Sequence, residues 1–144
     1  MVTANLEHPA AVLPRLRAVR GAISVDADAP DLIERAVRDL MTHLTTANGI
    51  DAADVVSAIF SATPDLRTRN PATAARVLGW TDVPMMCVAE VDTDGMLERC
   101  IRVLLHVSVR DGRSLQPVYL DRAAGLRPDL TGTTRPARAA GSPR

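Results

Sequence analysis

The side chains best suited to chemistry gather between Val83 and Val109, where two apolar runs carry Cys87, Glu90, Asp92, Cys100, Arg102 and His106. The first run, Val83 to Val91, and the second, Cys100 to Val109, are rich in residues that favour a buried strand. Thr93-Asp94-Gly95 between them is a turn signal, so the two runs read as a hairpin. A charge on so apolar a strand must meet a pocket, a partner or solvent, because burying it unpaired costs several kcal/mol. Arg102 is the sharpest case. Its bland alternative is a strand arginine at the solvent edge, and Glu90 reads equally as its ion-pair partner across the hairpin. Cys87 taken alone is a small core residue, and His106 alone a structural histidine.

Around these residues the inventory is mostly arginine: Arg20, Arg76, Arg102, Arg127 and Arg69, with Tyr119. Neither cysteine has a histidine at motif spacing, Ser57 and Ser61 sit in no elbow motif, and no phosphate loop or metal triad is present. Arginines around a pocket instead suit a small anion with carboxylates, since a guanidinium forks onto a carboxylate through two hydrogen bonds. Any catalysis there would work by positioning and electrostatics.

The elements that must position these groups follow from periodicity. Arg15 to Val25 reads as a strand with Ala18, Arg20, Ala22 and Ser24 on one face, which leaves room beside Arg20. Asp28-Ala29-Pro30-Asp31 opens a helix with Asp28 as its cap, and Leu32, Ile33, Ala36, Val37, Leu40, Met41 and Leu44 form its apolar stripe. Asn48-Gly49 closes it, with His43 a surface group near that end. Asp54 to Ala62 is a second strand stopped by Pro64. Asn70-Pro71 begins a short helix closed by Gly79, and Val118-Tyr119-Leu120 is a brief last strand. The order predicts an α/β (α+β) fold, a mixed sheet with one long amphipathic helix and a short one on one side. The uncovered sheet face and edges call for a partner, and self-association supplies it.

Composition narrows the classes. A chain of 144 residues is one domain able to bury a core without disulfides or a metal. Its 17 basic and 17 acidic residues cancel, and only Phe60, Trp80 and Tyr119 are aromatic, which argues against nucleic acid. Two cysteines outside any paired motif read as free thiols in a reducing compartment. No signal-peptide core or membrane-spanning run appears, so a cytoplasmic protein away from membranes is expected. Residues 1–16 read as an extension, disordered in part, residues 17–130 as the domain, and residues 131–144 as a flexible basic tail.

Seven segments in order, VRGAISV, FSATPDL, PATAARVLGW, VPMMCVAEVD, CIRVLLHV, VYLDRA and LRPDL, resemble the monofunctional trimeric type of chorismate mutase from Arg17 to Leu130. The resemblance implies a homotrimer with a central barrel-like core of sheets and active sites between subunits. It implies conversion of chorismate to prephenate, an intramolecular Claisen rearrangement in phenylalanine and tyrosine biosynthesis, with no cofactor or metal. By motif, Arg102 would donate to the ether oxygen, Arg20 would hold a carboxylate, and Glu90 would hold the ring hydroxyl, helped by Cys87. Tyr119 would contact a carboxylate, Arg76 and Arg127 would close the site, and Leu126, Ala72, Thr73, Met85 and Met86 would complete its lining. The chain departs from the family pattern at Asn70 and Thr73. Cys87 and Glu90 lie three apart, so serving one site from a regular strand would require a bulge near Ala89. The competing reading is a non-catalytic trimer of the same fold that binds a small carboxylate or regulates. The reactive-intermediate deaminase family, of similar shape, fits these segments poorly.

Overall fold

The computed structural model describes residues 13–129 and the backbone of 133–134. Its elements run β1 (Arg15–Ser24), α1 (Pro30–Asn48), β2 (Val55–Ala62), α2 (Pro71–Val77), β3 (Met85–Ala89), β4 (Cys100–Val109), β5 (Val118–Leu120) and β6 (Thr133–Thr134), with 3₁₀ turns at Ala52–Asp54 and Asp121–Gly125. One mixed sheet of six strands has the order β3-β2-β4-β1-β5-β6. The mixed sheet with one long and one short helix is the expected architecture. Most of the expected N-terminal arm and most of the tail lie outside the described residues, but Arg15 and Leu16, counted with that arm, belong to β1 and pair with Val109 and Ser108. Thr133–Thr134, read as part of an unstructured tail, pair parallel with Val118 and Tyr119.

The expected hairpin does not form. β2 lies between β3 and β4, pairing parallel with β3 (Ser61↔Val88) and antiparallel with β4 (Ser61↔Arg102). The physical reason is α2: a helical crossover between β2 and β3 returns the chain in the same direction, and β3 therefore docks beside β2. β4 then runs antiparallel to β1 through the whole length of both strands.

Strand alternation divides the sheet into two faces. Val19 and Ile23 of β1, Ala58 and Phe60 of β2, and Ile101, Val103, Leu105 and Val107 of β4 join Ile33, Val37, Leu40, Met41 and Leu44 of α1 in the main core. Gly21 is where α1 comes closest to the sheet. A Cβ there would stand 2.9 Å from the Cδ1 atoms of both Leu40 and Leu44. Asp28 is not the helix cap; Ala29 occupies that place with no side-chain bond, and Asp28 instead accepts from the backbone N–H groups of Arg67 and Thr68 and from the Thr68 hydroxyl. Those donors, led by the Thr68 N–H, hold its carboxyl below the usual range. Asn70 does cap α2, accepting from the Ala72 N–H. Gly49 closes α1 in the left-handed conformation.

Candidate functional site

The face opposite the helices carries the polar chemistry. The register sets one row across five strands, Val88, Ser61, Arg102, Ala22 and Tyr119, each paired with the next. Neighbouring strands lie about 4.8 Å apart, so Arg102 and Tyr119 stand roughly 10 Å from each other with only the methyl of Ala22 between them. Arg20 pairs with Leu104 and is thus the diagonal neighbour of Arg102 on the same face. The small residues on β1 make the hollow: a cleft of about 450 Å³ is lined by Arg20, Ala22, Ser61, Arg102, Tyr119 and Arg127, with Leu126 at its rim.

The rim is held by a second, small core under the 3₁₀ turn, where Ala22, Cys100, Tyr119 and Ala123 pack together with Leu97 and Leu126 against them. Arg122 pins this turn to the sheet: its N–H donates to Ser24 Oγ at 2.9 Å, and its guanidinium donates to the Val25 carbonyl at 3.1 Å. Arg127 is gripped by Asp129 through two hydrogen bonds of 3.0 and 2.8 Å. Each partner favours the other's charge, raising the pKa of Arg127 and lowering that of Asp129.

Glu90 follows the end of β3, its N–H bound to the Ala62 carbonyl at 2.9 Å. It shares strand parity with Val88 and so meets Arg102 without any bulge; Arg102 Nε lies 3.3 Å from Glu90 Oε1. The ion pair forms, though across β2 rather than across a hairpin. Ser61 Oγ donates to the same Oε1 at 2.5 Å.

The remaining candidates lie elsewhere in this chain. Cys87 pairs with the buried Phe60 and therefore faces the helix side, where it lines a separate cleft of about 370 Å³ with Arg69, Asn70 and Pro71. The bulge that would turn it toward Glu90 is absent. Met85 packs on the same side, half-buried, while Met86 is exposed. On α2, Ala72 is buried, Thr73 half-buried and Arg76 exposed. One chain thus holds two groups on opposite sides of its sheet: Arg20, Glu90, Arg102, Tyr119, Leu126 and Arg127 on one, Cys87 and the α2 residues on the other. Burial pushes both thiols up, and for Cys100 the nearby Arg102 guanidinium partly opposes this. Among the described residues no group of three or more His, Cys, Asp or Glu is placed to hold a metal.

Residues 16–130 match the profile of the family described as chorismate mutase type I. The chain belongs to the type I chorismate mutase family. It is 41% identical over 117 residues to chorismate mutase AroH of Thermus thermophilus, spanning 80% of this chain and 96% of that one. Chorismate mutase AroH of Bacillus subtilis is 38% identical over 120 residues, spanning 82% and 94%. Among solved structures, a chorismate mutase from Clostridium thermocellum superposes with a TM-score of 0.69 at 38% identity, covering 74% of this chain and 96% of that one. A residue that sequence reading passed over is Ser61, whose hydroxyl gains meaning only once β2 is known to lie between Glu90 and Arg102.

Proposed function

We propose that the arginine-lined cleft is where this type I chorismate mutase, an isomerase of aromatic amino acid biosynthesis, rearranges chorismate to prephenate. The observation that carries the assignment is the placement of Arg20 and Arg102 as diagonal neighbours on one sheet face, with Glu90 fixed beside Arg102. Chorismate bears two carboxylates and must fold into a compact chair before one bond breaks and another forms. Guanidinium groups at fixed separation impose that shape and remove the entropy cost of reaching it. As the ether C–O bond lengthens, negative charge grows on oxygen, and the Arg102 guanidinium stabilises that state more than the ground state. Arg20 and Tyr119 take carboxylate oxygens, and Glu90 accepts from the ring hydroxyl. Arg127 closes the rim.

The second group of residues completes the site from a neighbouring copy. Supporting this, Cys87, Thr73 and Arg76 stand on the far side of the sheet from the cleft, so one chain cannot bring both groups to one ligand. Leu16 and Leu104, 64% and 36% exposed on the cleft face, together with Met86 at 56%, provide apolar surface for the contact. A homotrimer with sheets facing its axis and sites between subunits satisfies both observations. We take residues 17–130 as the catalytic unit and the cytoplasm as its location; among the described residues no helix is long and apolar enough to cross a membrane.

The deciding assay follows the loss of chorismate absorbance and confirms prephenate by its acid conversion to phenylpyruvate. Wild type is expected to turn over, and Arg102→Ala to lose about a hundred- to a thousandfold in kcat. Arg102→Lys is expected to be nearly as poor, because an ammonium cannot serve Glu90 and the ether oxygen from one planar group. Folded wild-type protein with no turnover would leave a carboxylate-binding protein of the same fold.

A further inference from the structure

We propose that Ser61 is a positioning residue for the rearrangement, holding Glu90 so that one carboxylate oxygen stays with the protein and the other faces the substrate. The inference deepens the site described above and rests on that reading.

Ser61 stands on β2 between the two charged groups it serves, paired with Val88 on one side and Arg102 on the other. Its hydroxyl donates to Glu90 Oε1 at 2.5 Å, and Arg102 Nε reaches the same atom at 3.3 Å. Both contacts fall on Oε1 and come from residues that line the cleft, Ser61 and Arg102, so Oε2 is the atom this reading gives to the ring hydroxyl. Glu90 needs such a hold. It lies just past the end of β3, at the start of an irregular segment, and its flexible side chain has several rotamers to choose from. An arginine and a glutamate left to themselves favour a fork in which two N–H groups meet both carboxylate oxygens. That fork would remove Oε2 from the ring hydroxyl and tie up guanidinium donors that the ether oxygen needs. The Ser61 hydroxyl takes Oε1 from the β2 side, the same atom that Arg102 approaches through Nε, and so holds the carboxylate away from that fork.

The test compares two substitutions of one shape. Ser61→Thr keeps the hydroxyl, whereas Ser61→Val replaces it with a methyl at equal volume, and both β-branched residues suit a strand. Steady-state kinetics on chorismate are measured for the wild type, both variants, Glu90→Ala, and the Ser61→Val/Glu90→Ala pair, with urea midpoints for each. Ser61→Thr is expected within about threefold of wild type, and Ser61→Val about ten- to a hundredfold lower in kcat, the range for a hydrogen bond to a charged group. The KM change is expected to be under threefold. In the Glu90→Ala background, Ser61→Val is expected to cost nothing further. Equal kcat for Ser61→Thr and Ser61→Val, or losses that multiply in the double variant, would overturn the role of Ser61. A Glu90→Ala variant as active as wild type would bring down the Glu90 assignment, and this inference with it. An impaired Glu90→Ala beside an unimpaired Ser61→Val would remove the inference alone.

Discussion

At the scale of single residues, the two thiols report which sheet face is which. Cys100 is fully buried, in the small core beneath the cleft rim, and Cys87 is half-buried on the helix side. Burial disfavours the thiolate at both, and thiolate is the reacting form. Treating the native protein with a disulfide reagent near neutral pH should therefore modify Cys87 slowly, with a rate that climbs as pH rises. Cys100 should react only after denaturant is added; two fast thiols in the native state would contradict the burial of both. These thiols also mark the limit of what residue types reveal. Arg102 and Arg20 stood out because a guanidinium in an apolar run demands a reason. Ser61 did not, since a strand serine is ordinary until its partner is known. Cys87 and Glu90 had the spacing to face opposite ways, and the folded chain keeps them so.

Among the elements, α1 and β1 are matched at Gly21, and this contact sits beside Arg20. A Cβ at Gly21 would also stand 3.0 Å from the Val118 carbonyl oxygen, so β5 as well as two leucines would have to give way. Gly21→Ala is expected to destabilise the fold by about 1–3 kcal/mol, the usual cost of overpacking a filled core. Urea titration at one fixed protein concentration measures it, and an unchanged midpoint would show that α1 can lift without cost. Activity should fall further than stability alone explains, because any shift of β1 carries Arg20 with it. The helices and strands themselves were legible: the apolar stripe of α1, the Asn70 cap of α2 and the alternation of β1 are local patterns. Pairing was not. Residues 93–95 look like a hairpin turn, yet the connection between β3 and β4 spans residues 90–99 and includes Arg99 at φ 46, with its N–H held by the Asp65 carboxylate. That tie, between residues 34 apart in sequence, belongs to the tertiary structure and leaves no periodic trace.

For the whole molecule, the decisive property is that the two residue groups face away from each other in one chain. If sites form between copies, each needs the Arg102 side of one chain and the Arg76 side of the next. Arg102→Ala and Arg76→Ala homotrimers should then both be weak, since every site in either lacks one arginine. Co-expressing the two variants with different tags and isolating mixed assemblies gives a sharper outcome. With free mixing at equal amounts, about a quarter of the contacts join an unaltered Arg102 side to an unaltered Arg76 side, as head-to-tail interfaces in a ring require. Activity should rise to roughly a quarter of wild type. If each site were built from one chain alone, no mixture could contain an intact site, and activity would stay at the average of the parents. Sedimentation of the same samples separates this from failed assembly: the mixed protein must run as the same closed oligomer as the wild type. If copies associate through this face, substituting Leu104, which also lines the cleft, with aspartate should break the oligomer by placing a charge in the contact, and sedimentation of the variant checks it.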